Sequence, residues 1–338
     1  MKKRMVVLFL IAAASAALLS CSGGSSGGAT ASAAAAKGSI LIKLAHGAPV
    51  EHSSHAGFLK FQEVAEAGSD GVMKVEIYPN NQMGGDREIL EGTQFGNITG
   101  GYSSQSPIAG FAKEFFVLDA PFMFKSREEV YRVLDGEPGQ KLLSYFEKIK
   151  IKGLGYAENG FRNLTCNKEV HSPDDLKGVK IRVMENEIQI LTWSSLNANP
   201  TPMAFGELFT ALQQKVVDAQ ENPIEFIYTN KFYEVQNFLM LSRHIYSPLV
   251  MFVNLDFYTN LAPQHKDLID KASREAIAHN RKVAAENELK AVEAIKNDIK
   301  IIELSEKELQ SFKDKMGPVY AAIKKKVDND ELANLFLK

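Results

Sequence analysis

Two arginines mark the stretch of this 338-residue chain that could do chemistry. Arg182 sits in VKIRVM, where Val179, Ile181 and Val183 alternate with Lys180, Arg182 and Met184. That period of two predicts a strand with Arg182 on the face opposite the aliphatic residues. Arg162 precedes NLTC, a second strand-like run. A guanidinium held on a strand is a stiff fork of donors, matched in shape to a carboxylate. The segment from Gly160 to Pro223 therefore reads as a pocket for a small organic anion. The alternative at this level is an internal ion pair from Arg182 to Glu185 or Glu187 in the following loop.

The elements that must hold these residues alternate between strands and helices. SILIKL (Ser39 to Leu44) and MKVEIYP (Met73 to Pro79) read as strands, with a helix from about Phe58 to Ala67 between them. Gly84-Gly85-Asp86 reads as an N-cap region, and NITGGYS as a short strand ending in Ser103-Ser104-Gln105-Ser106-Pro107. Ser126 to Glu129 and Ser305 to Glu308 are capping-box patterns. IKGLGYAE, NFLMLSRH and PLVMFVNL read as separate buried strands, and MAFGELFTALQQKV as an amphipathic helix through Phe205. From Pro263 to about Lys300 no glycine or proline intervenes, so one long helix of roughly 55 Å, or a broken pair, is expected there.

Ahead of the folded part, Lys2, Lys3 and Arg4 precede an apolar run from Met5 to Leu19, too short for a comfortable permanent span and typical of an export signal. Leu18-Leu19-Ser20-Cys21 resembles a bacterial lipoprotein box, with Cys21 as the lipidated residue; the alternative is a plain secretory signal. The Gly/Ser/Ala tract that follows, ~17 residues long, would span roughly 23 Å as a coil and reads as a tether. Removing residues 1–20 takes away three basic residues and no acidic ones, which leaves 36 basic against 41 acidic residues.

Composition, at 45% hydrophobic and 24% charged, is that of an ordinary globular protein. No basic stripe with interleaved aromatics points to nucleic acid. Gly153-Leu154-Gly155 does not extend to a dinucleotide fingerprint, because Glu158 stands at the third glycine position. His46, His52 and His55 lack an accompanying HExxH or cysteine and read as loop histidines, with no metal or other cofactor expected. Cys166 reads as a buried inert thiol. No nucleophile, base and oxyanion group can be assembled, which argues against an enzyme.

GFRN, KIRVMEN, PTPMAFGELFTALQ, VVDAQENP and KFYEVQ, preceded in order by LAHGAP, YPNNQMGGDREILE and LDAPFMF, resemble the dicarboxylate-binding type of TRAP (tripartite ATP-independent periplasmic) transporter solute-binding subunit. The likeness runs from Ser39 to about Lys326. It implies an α/β protein of the type II periplasmic-binding-protein kind, with two lobes around a ligand cleft bridged by a long C-terminal helix. The lobes would comprise residues 39–159 plus about 248–287, and 160–247 plus about 288–338. The resemblance makes Arg182 the arginine that pairs with the ligand carboxylate, Arg162 a second arginine near the site, Asn222 a ligand-holding amide and Phe205 an aromatic wall. His46, Ser104 and Gln105 fall where the first lobe contributes polar groups. Lys215 and Ala219 stand where glycine is usual. The implied ligand is a C4-dicarboxylate or a sugar acid, the implied partners are the transporter's membrane subunits, and the implied location is periplasmic and lipid-anchored. The competing functions are a carboxylate sensor and an enzyme acting on a carboxylated sugar.

Overall fold

The computed structural model describes residues 39–337; the expected signal, Cys21 and the tether lie outside the described residues. Nine strands, β1 (Ile40–Ala45), β2 (Met73–Tyr78), β3 (Gly100–Ser104), β4 (Ile151–Cys166), β5 (Lys180–Val183), β6 (Asn199–Pro202), β7 (Ala219–Pro223), β8 (Phe238–Asn254) and β9 (Lys300–Ile302), alternate with helices in a mixed α/β fold. Their order is β2-β1-β3-β8-β4-β7-β5-β6, with β9 beside β8. The β1, β2 and β3 strands are mutually parallel, as are β5, β6 and β7, and the two sets meet through the antiparallel β4–β8 pair.

That pair corrects the expectation of several short strands. IKGLGYAE and GFRNLTC form one 16-residue strand, and NFLMLSRH and PLVMFVNL form one of 17 residues. Leu249 to Val253 of β8 pair with β3, whereas Arg162 to Cys166 of β4 pair with β7, so the ribbon runs from one half of the sheet into the other. Pro248 is tolerated inside β8 because it falls where the register shifts between Ala157↔Leu249 and Gly160↔Ser247, a position that demands no N–H. Gly160, at φ +118°, supplies the backbone conformation on the β4 side of that shift. Arg162 is thereby placed at the crossing point.

The sequence from Pro263 folds as one unbroken helix, Pro263–Ile295, of about 50 Å at 1.5 Å per residue. It packs on the helix Ser53–Gly68, on β4 and on the helix Ile224–Thr229, and so touches both ends of the sheet. Asn280 ties it to β4 by accepting from Glu158 N–H at 2.7 Å. Ala272 and Ala276 are buried as their spacing predicts, but Leu289 is exposed. The helix expected over MAFGELFTALQQKV is shorter than its apolar spacing suggested: a 3₁₀ turn, Phe205–Glu207, leads into Leu208–Gln213. Lys215 then takes φ +58°, the left-handed region that favours glycine and ends a helix. The Ser305 capping box forms as read, with Ser305 accepting from Glu308 N–H and Glu308 accepting from Ser305 N–H. Ser126 caps its helix by accepting from Glu129 N–H, but the Glu129 carboxylate takes the Lys125 N–H, so the reciprocal half of that box does not form. No helix among the described residues is long and apolar enough to cross a membrane.

Candidate functional site

Between the two halves of the sheet lies a cavity of about 750 Å³ counting its mouth. His46, Ser54, Asp86 and Ser104 line it from one side, and Arg162, Arg182, Phe205 and Asn222 from the other. Alternation along β5 places Arg182 there as expected. Ile181 and Val183 are fully buried in the core with Trp193, and Arg182 and Met184 face the cavity.

The Arg182 side chain is 2% exposed. Its Nε and Nη2 both donate to the Met203 carbonyl, at 2.9 and 2.7 Å, and its Cζ lies 6.0 Å from the Phe205 ring centroid. Neither Glu185 nor Glu187 takes it up; Glu187 pairs with Lys326 instead. Among the described residues Arg182 forms no ion pair, which removes the internal-pair alternative. Burial, then the neighbouring Arg162, lower its pKa to about 10, against the opposing pull of Glu221, Asp86 and Glu185. A guanidinium in that position is still charged at neutral pH but lacks a countercharge of its own.

Arg162 is different. Its Nη2 donates to Glu221 Oε1 at 2.8 Å while its Nε meets Oε2, and the same Nη2 reaches Asn222 Oδ1 at 3.1 Å. The register explains the pairing: Leu164 of β4 lies opposite Glu221 of β7, so Arg162 reaches it diagonally across the ladder. His244 Nε2 approaches the same carboxylate at 3.1 Å. Burial alone would raise the Glu221 pKa, but Arg162 and His244 hold it down to about 2. Arg162 therefore lines the cavity with its charge already answered.

Asn222 is fixed on both ends, accepting from Arg162 and donating to Gln220 Oε1 at 2.5 Å, which leaves one N–H of its amide for another acceptor. Phe205 stands edge-on to Phe226 at 5.1 Å and to Phe232 at 6.1 Å, an aromatic wall beside the arginine. His46 Nε2 lies 3.1 Å from His55 Nδ1, and burial, then His55 and His52, lower its pKa to about 3, so it is neutral at pH 7. Ser104 N–H donates to Asp86 Oδ2 at 3.0 Å.

Gln105 is not brought to the cavity. The Ser104–Gln105 peptide begins a new helix, and the Gln105 amide is used internally, donating to Asp119 Oδ1 at 3.3 Å and accepting from Ser247 Oγ at 2.7 Å. Among the described residues no group of three His, Cys, Asp or Glu could hold a metal ion. Cys166 is a buried free thiol whose pKa burial raises.

Sequence reasoning missed several lining residues, among them Asn81, Asp86, Tyr102 and Asn159. Asp86 carried a signal only as a helix start, and Asn159 only as a neighbour of GFRN. It also missed the clasp that joins the halves beside the cavity. Ser53 N–H and Oγ donate to Glu225 at 2.8 and 2.6 Å, and Asn287 of the long helix donates to the same carboxylate at 2.7 Å. Glu225 thus sits at the N-terminus of the helix Ser53–Gly68, where a negative charge is favoured.

A family model described as bacterial extracellular solute-binding protein, family 7, matches residues 44–326. The crystal structure of the sugar acid binding protein DctPAm from Advenella mimigardefordensis, in complex with galactonate, is 35% identical, covers 88% of this chain and 97% of its own, and superposes with a TM-score of 0.85. That likeness gives the chain the two-lobed type II binding-protein fold. The 2,3-diketo-L-gulonate-binding periplasmic protein YiaO of Escherichia coli is 32% identical over 266 residues, 78% of this chain and 81% of YiaO. The C4-dicarboxylate-binding periplasmic protein DctP of Rhodobacter capsulatus is 32% identical over 297 residues, 87% of this chain and 89% of DctP. This chain belongs to family 7 of the bacterial extracellular solute-binding proteins, the substrate receptors of TRAP transporters.

Proposed function

We propose that this receptor captures a small organic acid by pairing the ligand carboxylate with Arg182, closes its two lobes over it, and passes it unchanged to the transporter's membrane subunits. The observation that carries this reading is a buried guanidinium in the cavity between the sheet halves with no ion-pair partner among the described residues. An incoming carboxylate supplies both the missing charge and an acceptor pair of matching geometry. The relatives named above bind galactonate, diketogulonate and C4-dicarboxylates, and a carboxylate is what those ligands share. Arg162 and Asn222 position the pocket, Phe205 walls it, and His46 and Ser104 contribute from the opposite lobe. The lobes are residues 39–159 with about 248–287, and 160–247 with about 288–338. The β4–β8 ribbon supplies the flexible crossing, and the Ser53–Glu225–Asn287 clasp favours the closed arrangement. Ligand-dependent closure of this kind is a shift between two states of different affinity.

Catalysis has no place in this reading. Calorimetric titration of the purified protein with a panel of aldonic, uronic and C4-dicarboxylic acids should give saturable binding of at least one, with the acid recovered chemically intact after long incubation. Conversion of the acid to a product would replace the receptor with an enzyme. The protein is held at the membrane through lipidated Cys21 and the tether of residues 22–38. Metabolic labelling with a fatty acid should mark the parent protein and leave Cys21→Ser unmarked, and an unmarked parent would remove the anchor.

A further inference from the structure

Within the receptor reading, on which this rests, we infer that the ligand is a polyhydroxy monocarboxylic acid of the aldonate or uronate class, not a dicarboxylate, and that Asn159 accepts a hydrogen bond from one of its hydroxyls. Two independent features of the cavity lead there.

The charge balance comes first. Three arginines line the cavity. Arg162 is neutralised by Glu221, and Arg87 pairs with Glu91 at 3.1 Å on the exposed face of its helix. Among the described residues only Arg182 is left for a ligand, and His46 is neutral. Asp86 also lines the cavity wall, while Glu88 and Glu185 stand at its exposed rim, so the wall adds no second cation and one carboxylate. A ligand with one carboxylate satisfies Arg182. A second carboxylate, desolvated in the same closed space, would meet no remaining cation among the described residues and would lie in the cavity that holds Asp86.

The hydrogen-bonding sense of the wall is the second feature. Asn159 lines the cavity, is 4% exposed, and its Oδ1 has no hydrogen-bond partner among the described residues. Which end of that amide is free follows from a relay of three neighbours. The Asp119 carboxylate draws the Gln105 Nε2 donor, and also accepts from Asn186 at 2.8 Å and Gln189 at 3.1 Å. Gln105 must then offer Oε1 to Ser247, whose single hydroxyl proton goes to it at 2.7 Å. Ser247 is left with acceptor capacity, which takes the Asn159 Nδ2 donor at 3.4 Å. Asn159 is thereby locked with its carbonyl oxygen unused. Asn81, also on the cavity wall, has a buried unpartnered Oδ1 as well. A bare acceptor is satisfied by a hydroxyl, which has a proton to give, and not by a carboxylate oxygen, which has none. Gln105, absent from the cavity, thus acts on the ligand as a positioning residue through Ser247.

Calorimetry at pH 7 with D-gluconate, D-galactonate, D-glucuronate, D-galacturonate, succinate and L-malate tests this. At least one hydroxy acid of the first four should bind about 100-fold tighter than succinate. Asn159→Leu should shrink the ratio of that acid's affinity to succinate's by about tenfold or more. Ser247→Ala, which releases the Asn159 amide without changing the cavity wall, should shrink it in the same direction, and serves if the first variant does not fold. Succinate or malate bound as tightly as every hydroxy acid overturns the ligand class and leaves the receptor standing. An unchanged ratio in both variants overturns the role of Asn159. If no carboxylate binds at all, the receptor reading itself fails.

Discussion

Arg182→Ala should separate binding from folding: carboxylate affinity falls by about 2–5 kcal/mol, or roughly 30- to 4,000-fold, with no comparable loss of stability. The binding term follows from removing one side of a desolvated charge pair, which strands the ligand carboxylate in the cavity. The folding term is small for the opposite reason. In the unliganded protein Arg182 has no carboxylate partner among the described residues, and burial depresses its pKa, so the fold carries an uncompensated charge. Its removal forfeits two hydrogen bonds to the Met203 carbonyl and some packing on Phe205, while relieving that desolvation and the repulsion from Arg162. Thermal melts of the variant should therefore lie close to those of the parent. Arg182→Lys should fall between the two in affinity, since an ammonium keeps the charge and loses the two-pronged fit. The measurement is calorimetry beside melting curves. Near-native affinity in the alanine variant would remove the clamp, and a collapse of both quantities together would make Arg182 a structural residue.

The local patterns in the sequence located most of this site, because they depend on neighbours along the chain. Alternation in VKIRVM decides which face Arg182 occupies, and the serine-to-glutamate spacings at Ser126 and Ser305 decide where helices begin. The run from Pro263 without glycine or proline leaves one long helix or a broken pair, and the structure shows a single helix, Pro263–Ile295. What failed depends on partners far apart in sequence. The union of two apolar runs into β8 across Pro248 requires knowing that β4 shifts register there. Nothing near Arg162 says that Glu221 will stand diagonally across a ladder 59 residues away. The resemblance places Gln105 with Ser104 among the polar groups of the first lobe, but the start of a helix between them turns its amide toward Asp119 and Ser247. Asn159 and Asp86 were passed over for the same reason: an amide or carboxylate becomes a binding group only once its other partners are counted.

The Arg162–Glu221 pair should behave as the reverse of Arg182. Glu221→Gln is expected to destabilise the fold by about 3–5 kcal/mol, because it leaves Arg162 buried without its countercharge beside a second bare guanidinium. Arg162→Met should cost less, since the hydrogen bond between His244 and Glu221 at 3.1 Å remains to hold the carboxylate. The double variant Arg162→Met/Glu221→Gln should recover most of the loss, because a neutral pair carries no desolvated charge. The pH profile gives an independent check. With a folded pKa near 2, below its ordinary value of 4.5, Glu221 contributes stability that is fully present above pH 4.5. That stability is lost as pH falls from there toward 2, on the order of 3 kcal/mol in all. Urea unfolding of the parent should show this acid limb and the Glu221→Gln variant should lack it. Equal losses in the two single variants, or no recovery in the double one, would mean that the pair is not the coupled unit its geometry describes. The same variant bears on ligand choice, because Glu221→Gln turns Arg162 into a second unpaired cation on the cavity wall. Wherever enough folded protein remains to titrate, the preference should move toward succinate, the ligand class that the parent's charge balance excludes.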